Sequence, residues 1–184
     1  MTAVCVGDAR ELAELIRQDP GFKVNVGLDG ARSTLLHYAC GGNGNRSTVI
    51  PLLLAHPDID VNVKNKYGVT PFLFACANGL PFCVHLLLKD SRVKVNEPDK
   101  DGSTPLWNAA AGGHLEVVQW WIASERDMDL GEPRNERTDA IGKAKQNGKT
   151  EVVTLLERFK SDAAKTRSEV RLELGINGQY PYYS

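Results

Sequence analysis

The feature that most restricts what this chain can become is a period. YGVTPFLFACANG, with Thr70 in fourth place, and DGSTPLWNAAAGG, with Thr104 in fourth place, align without gaps at a shift of 34 residues. Their continuations, LPFCVHLLL from Leu80 and HLEVVQWWI from His114, stay in the same register. ARSTLLHYACGG, around Thr34, is a further copy offset by two more residues. Ala39 to Ile50 spans eleven positions where Ala75 to Val84 spans nine, so the extra pair falls in GGNGNRS, where a turn absorbs it at little cost. Self-similarity at such a period marks a stacked array, each unit a supersecondary element that cannot bury its apolar face alone.

The ends of the pattern are weaker. TDAIGKAKQNGKTEVVTLLERF places Ala144, Gly148, Val152, Val153 and Leu156 against Ala109, Gly113, Val117, Val118 and Trp121 at a shift of 35. GDARELAELI from Gly7 aligns with the stretch from Gly113 at a shift of 106, a partial unit. Between units FKVNV, IDVNV and VKVNE recur, and the fourth connector, MDLGEPRNER, has Leu130 in place of the asparagine. Followed by LDG, KYG or KDG, these connectors predict a short extended segment and a tight turn rather than a long strand.

Each recurring residue has a mechanical reason. Thr70 and Thr104 supply a helix N-cap, and Pro71 and Pro105 occupy the first turn, where a missing N–H costs nothing. Thr34 keeps the cap but is followed by Leu35. Small Ala39, Ala75 and Ala109 permit close packing of the first helix, and Gly79 and Gly113 end it. Second helices follow, presenting Val49, Ile50, Leu52 and Leu53, then Cys83, Val84, Leu86 and Leu87, then Val117, Val118, Trp120 and Trp121. Helices of about eight to ten residues fall below the roughly 12 to 15 at which an isolated helix is even marginal, so their stability must come from neighbours. The fold expected is all-α: stacked antiparallel helix pairs joined by hairpin-like loops.

The combination of G-x-TP-L at Gly102 to Leu106, GHLEVV at Gly113 to Val118, and a period near 34 resembles the ankyrin repeat family over residues 3–159. The resemblance implies a solenoid with an array over 1–160: a partial N-terminal cap at 3–26, full repeats at about 30–62, 66–96 and 100–130, a degenerate C-terminal cap at 135–159, and a tail at 161–184. It implies a non-catalytic protein–protein interaction module whose concave helix face and hairpin tips bind a protein partner. At the family's usual histidine position the chain keeps His37 but has Leu73, Trp107 and Ile141, which shifts support toward packing; Asp139, Ala140 and Ile141 stand where TPL is expected.

The family register places Tyr38, Gly41 and Gly42, Phe74, Ala77 and Asn78, Asn108, Ala111 and Gly112, and Lys143, Gln146 and Asn147 on the concave face. Tips bring Asp29, Ala31, Lys66, Tyr67, Val69, Asp101, Ser103, Glu136 and Thr138. The partner-binding candidates are Tyr38, Lys66, Tyr67, Phe74, Asn78, Asp101, Ser103 and Asn108, with the aromatics gathered toward the first two units as anchors. Trp107, Trp120 and Trp121 are expected in the core. After Phe159 the pattern stops. SDAAKTRSE is polar, while VRLELGI alternates Val170, Leu172, Leu174 and Ile176, which predicts either an extended segment folded back on the last unit or paired with a partner, or a disordered tail.

Other chemistries find little support. The chain carries 22 basic and 23 acidic groups, net −1, so no overall field favours nucleic acid. It has no apolar run of about 18 residues and no leader pattern, so a soluble, intracellular protein, cytoplasmic or nuclear and monomeric, is expected. Cys5, Cys40, Cys76 and Cys83 lie among apolar residues without zinc-type spacing, which predicts reduced, mostly buried thiols. Candidate catalytic groups are His37, His56, His85 and His114 with those cysteines, but Cys83 and His85 are two apart on a helix and point away from one another. HExxH, GxSxG and GxxxxGK[ST] are missing, so no catalytic residue, metal or cofactor is expected. The alternatives are a structural or degenerate array, or a small-molecule-binding protein or enzyme using the groove.

Overall fold

The computed structural model describes residues 8–19, 21–41, 48–131 and 138–176. Expectations for Cys5, Glu136, residues 42–47 of the insertion, Gly42 among them, and residues 177–184 therefore lie outside the described residues. Among those described, every regular element is helical: α1 Ala9–Gln18, α2 Leu35–Ala39, α3 Ile50–Ala55, α4 Pro71–Ala77, α5 Pro81–Leu88, α6 Pro105–Gly112, α7 Leu115–Ala123, α8 Ala140–Gln146, α9 Thr150–Ser161 and α10 Ala163–Glu173. Helices α2, α4, α6 and α8 stack as one row and α3, α5, α7 and α9 as a second, with α10 laid across α7 and α9. Helices α2, α3 and α4 run to five, six and seven residues, shorter than expected, whereas α5, α6 and α7, at eight, eight and nine, have the expected length.

The caps form where the residue types require them. Thr70 Oγ1 accepts the N–H of Leu73 at 3.1 Å and Thr104 Oγ1 that of Trp107 at 3.3 Å. In the fourth pair Asp139 takes the role, accepting from Gly142 at 2.7 Å. Gly79 sits at φ +64°, and a Cβ there would collide with the His114 ring, so both backbone conformation and close approach demand glycine. One continuous core runs through the stack, from Leu12 and Leu36 through Ile50, Phe72, Leu87, Leu106 and Trp121 to Leu156. Phe72 meets Trp121 edge to face with ring centroids 5.1 Å apart.

Two ladders of polar bonds join successive units. The connector asparagines bridge to the next connector: Asn25 donates to Asp58 O at 2.6 Å and accepts from Asp60 N at 2.9 Å. Asn62 repeats both bonds with Arg92 O and Lys94 N, and Asn96 accepts from Asp129 N. Leu130 breaks the run in the last connector, and after the fourth helix pair α10 follows instead of another connector. The second ladder satisfies carbonyls left over at helix C-termini. Arg92 donates to Leu54 O at 2.7 Å, Arg126 to Leu88 O at 3.1 Å, and Arg167 to Ile122 O at 3.1 Å. The three carbonyls stand 34 residues apart in sequence, but the third arginine comes from α10, which also supplies Arg171 to Ala123 O at 3.0 Å.

That helix corrects the expectation of an extended or disordered segment after Phe159. Asp162 caps it through Lys165 N at 3.0 Å, and only Val170 of the alternating apolar set is fully buried, whereas Leu172 is 69% exposed. The period-two pattern was a coincidence of a helix whose apolar residues do not all face the core.

Candidate functional site

Leu36 and Ala39 bury one side of α2, which leaves Tyr38 half-buried on the other, facing the turn that carries Asp29. The Tyr38 hydroxyl donates to Asp29 Oδ2 at 3.1 Å, while Asp29 Oδ1 accepts the N–H of Ser33 at 2.8 Å. Chiefly that backbone bond, and to a smaller degree the tyrosine hydroxyl, holds the Asp29 carboxyl below its ordinary range. Phe74, half-buried on α4, closes the opposite side. Its ring lies so near Gly41 that a Cβ there would strike Cε1, and it meets His37 edge on at 6.3 Å. Asp29, Ala31, Tyr38, Gly41, Phe74 and His37 thereby line an open groove of about 320 Å³.

His37 is a support of this groove. Its Nδ1 accepts the N–H of Thr34 at 3.2 Å, so Nε2 carries the proton and donates to Val69 O at 2.9 Å in the next unit. Burial lowers its pKa, which keeps the imidazole neutral and preserves the Nδ1 acceptor. At the matching position of the third pair, Trp107 does more than pack: Nε1–H donates to Thr138 O at 3.3 Å, reproducing the histidine's bond to the following unit. Leu73 and Ile141 are supported by burial alone, as expected.

Tyr67 sits apart from the groove, at the tip of the next hairpin, 56% exposed with the Lys66 ammonium 4.9 Å from its ring centre. The two places are joined through the backbone, because Lys66 N donates to Ala31 O at 2.8 Å. Asn78 is exposed and its amide folds back on Phe74 O at 2.7 Å. Asp101 is exposed on the following tip, Ser103 is half-buried with its N–H on Asp99 Oδ1, and Asn108 is half-buried with its amide on Thr104 O. The structure thus brings Tyr38 and Phe74 together with a carboxylate, sets Lys66 and Tyr67 apart on the next hairpin tip, and leaves Asp101, Ser103 and Asn108 one unit further on. Sequence reasoning placed Asp29 on a tip but did not select it as a site residue; the signal was its position nine residues before Tyr38.

The other expected groups fall as follows. Trp107 and Trp121 are buried, but Trp120 is only half-buried, against the core's edge, and meets His85 at a tilt of 44° with centroids 3.9 Å apart, a correction to its placement in the core. Cys40, Cys76 and Cys83 are free and buried; burial pushes the Cys83 thiol up to about 11 and the other two well above the ordinary range, the reverse of an activated nucleophile. No group of three or more His, Cys, Asp or Glu among the described residues is placed to hold a metal ion, and no described helix is long and apolar enough to cross a membrane.

Stacked helix pairs, glycine-ended inner helices and an open groove beside the hairpin tips define a repeat scaffold. A family described as Ankyrin repeats (3 copies) matches residues 1–99 and 82–167, and the chain belongs to that family. Ankyrin repeats serve in general as protein-binding scaffolds. The chain is 39% identical over 84 residues to the human SMC5-SMC6 complex localization factor protein 1, covering 46% of this chain and 8% of that protein. It is 36% identical over 96 residues to the human transient receptor potential cation channel subfamily A member 1, covering 50% of this chain and 8% of the channel. It is 29% identical over 157 residues to the mouse serine/threonine-protein kinase TNNI3K, covering 80% of this chain and 18% of the kinase. The chain thus spans under a fifth of each of these relatives.

Proposed function

We propose that this chain binds a protein partner along the concave side of its first two units, through Tyr38, Lys66, Tyr67, Phe74 and Asn78, with Asp101, Ser103 and Asn108 extending the contact. The supporting observation is the conjunction of an exposed aromatic tip with a groove of about 320 Å³ walled by two further aromatics. Large aromatics that stand in partly desolvated positions are the side chains from which interfaces draw most of their energy. The floor beyond, at Ala77, Ala111 and Gly112, is small and leaves room for a partner's backbone to approach.

The reading includes a monomeric protein in the cytoplasm or nucleus that takes neither nucleic acid nor membrane as its partner, and three buried, reduced thiols support an intracellular setting. The test is affinity capture from the native host with wild type, Tyr67→Ala and Phe74→Ala, each checked for an unchanged unfolding midpoint or corrected for its shift. Loss of the same captured protein with both variants is the expected outcome. Capture that survives both would remove this surface and favour a structural spacer.

A further inference from the structure

The groove beside Asp29 has a chemistry that the aromatic anchors alone do not explain. Asp29 is exposed, and among the described residues no cation forms an ion pair with it. Oδ1 accepts from Ser33 N and Oδ2 from the Tyr38 hydroxyl, with smaller contributions from the Ser33 side chain and the Ala31 backbone; all are neutral donors, so the carboxylate keeps its negative charge toward the groove. The two bonds also fix the plane of the carboxylate beside the rings of Tyr38 and Phe74. Neutral His37 behind them adds no positive charge to the groove.

From this geometry we infer that the groove is a receptor for a single arginine side chain, presented by an extended segment of the protein partner. A guanidinium is planar and weakly hydrated, stacks on aromatic faces, and meets a carboxylate through two parallel N–H bonds. An ammonium carries the same charge but has neither the plane nor the fork, so lysine is the poorer occupant. An apolar side chain would cover the Asp29 carboxylate without replacing its water, and a carboxylate would meet like charge.

The neighbouring turns restrict what flanks the arginine. Arg32 is exposed and its N–H donates to Asp29 O at 2.9 Å, and Lys66 is tied to Ala31 at the groove's edge. These two cations oppose a run of basic residues and favour acidic ones on either side of the anchor. The recognised segment is therefore one arginine with acidic neighbours, not a polybasic stretch.

This inference rests on the concave surface being the binding face, and the experiment separates the two. Immobilised protein is offered heptapeptide pools with a fixed central Arg, Lys, Glu, Leu or Phe and random flanks, plus Arg-centred pools with Glu or Lys fixed on both sides, and retained peptide is quantified. Wild type, Asp29→Asn and Phe74→Ala are compared. Asparagine still accepts from Ser33, so the turn is kept while the charge is removed. Retention should follow Arg above Lys above the rest, Glu-flanked above Lys-flanked, and fall about tenfold or more in Asp29→Asn, the scale of a charge-assisted bond. Preferred retention of Leu- or Phe-centred pools that depends on Phe74 would overturn the arginine assignment while leaving the binding face intact. So would Arg-centred retention indifferent to Asp29→Asn. No pool retained by wild type would overturn the inference too, and the binding face would then stand or fall on the capture experiment.

Discussion

Single hydrogen bonds decide how the units of this stack hold together. His37 and Trp107 occupy matching positions and each donates a ring N–H to the following unit, at 2.9 and 3.3 Å. Replacing Trp107 by Phe keeps most of the volume and removes the donor, leaving Thr138 O without that partner. A loss of about 1 kcal/mol is expected, read as a lower urea midpoint at unchanged slope. His85 makes a second residue-level prediction. Burial first, and the charge of Lys89 second, lower its pKa from 6.5 to about 4 in the folded protein. The unfolded chain takes up a proton near the ordinary value while the folded chain does not, so the unfolded state binds more protons and stability falls as the solution is acidified. The loss should begin near pH 6.5 and end near pH 4, with His37 adding in the same direction because burial lowers it too. Unfolding midpoints of wild type and His85→Gln measured across this range should converge toward low pH. Parallel curves would show that His85 does not contribute.

Helix α10 acts as a substitute for a repeat. Where a further unit would bring a connector arginine to the end of α7, α10 brings Arg167 and Arg171 to Ile122 O and Ala123 O, and buries Val170 and Thr166. Its remaining apolar residue of size, Leu172, is largely outside. Deleting residues 163–184 should therefore lower the urea midpoint, because it re-exposes the faces of α7 and α9 that α10 covers and strands Ile122 O and Ala123 O, at about 1 kcal/mol for each lost hydrogen bond. Urea denaturation followed by tryptophan fluorescence reports this directly, since Trp121 lies in the helix that would be uncapped. The same logic applies to Arg126, whose guanidinium holds Leu88 O, Asp90 O and Val93 O together. Arg126→Met keeps the stem and strands three acceptors, so a loss of about 2–3 kcal/mol is expected; an effect below 0.5 would mean water satisfies them.

For the molecule as a whole, stability is the sum of nearest-neighbour interfaces, and the two ends are unequal. Helix α1 buries only Leu12 fully, whereas α4 and α6 bury most of their residues between neighbours on both sides. Amide exchange should be fastest in α1 and slowest in α4 and α6, with α9 held back by α10; equal protection throughout would contradict a stack built from local interfaces. The sequence by itself determined the period, the helix pairs, their caps and the burial of the inner alanines, because each depends on residues within one unit and on the backbone rules they obey. Thr70, Pro71 and Gly79 mark a helix whatever surrounds them. The alternation around Val170 misled because a helix docked on two others is specified by the surface it meets, not by its own pattern. Trp107 read only as packing because its partner, Thr138 O, lies 31 residues away. Asp29 went unselected for the same reason: one exposed aspartate acquires meaning only when Tyr38 and Phe74, from two different helices, are brought against it. Contacts within a unit repeat and are therefore legible in the chain, but a groove between units is made by residues that do not repeat, and only the tertiary structure brings them together.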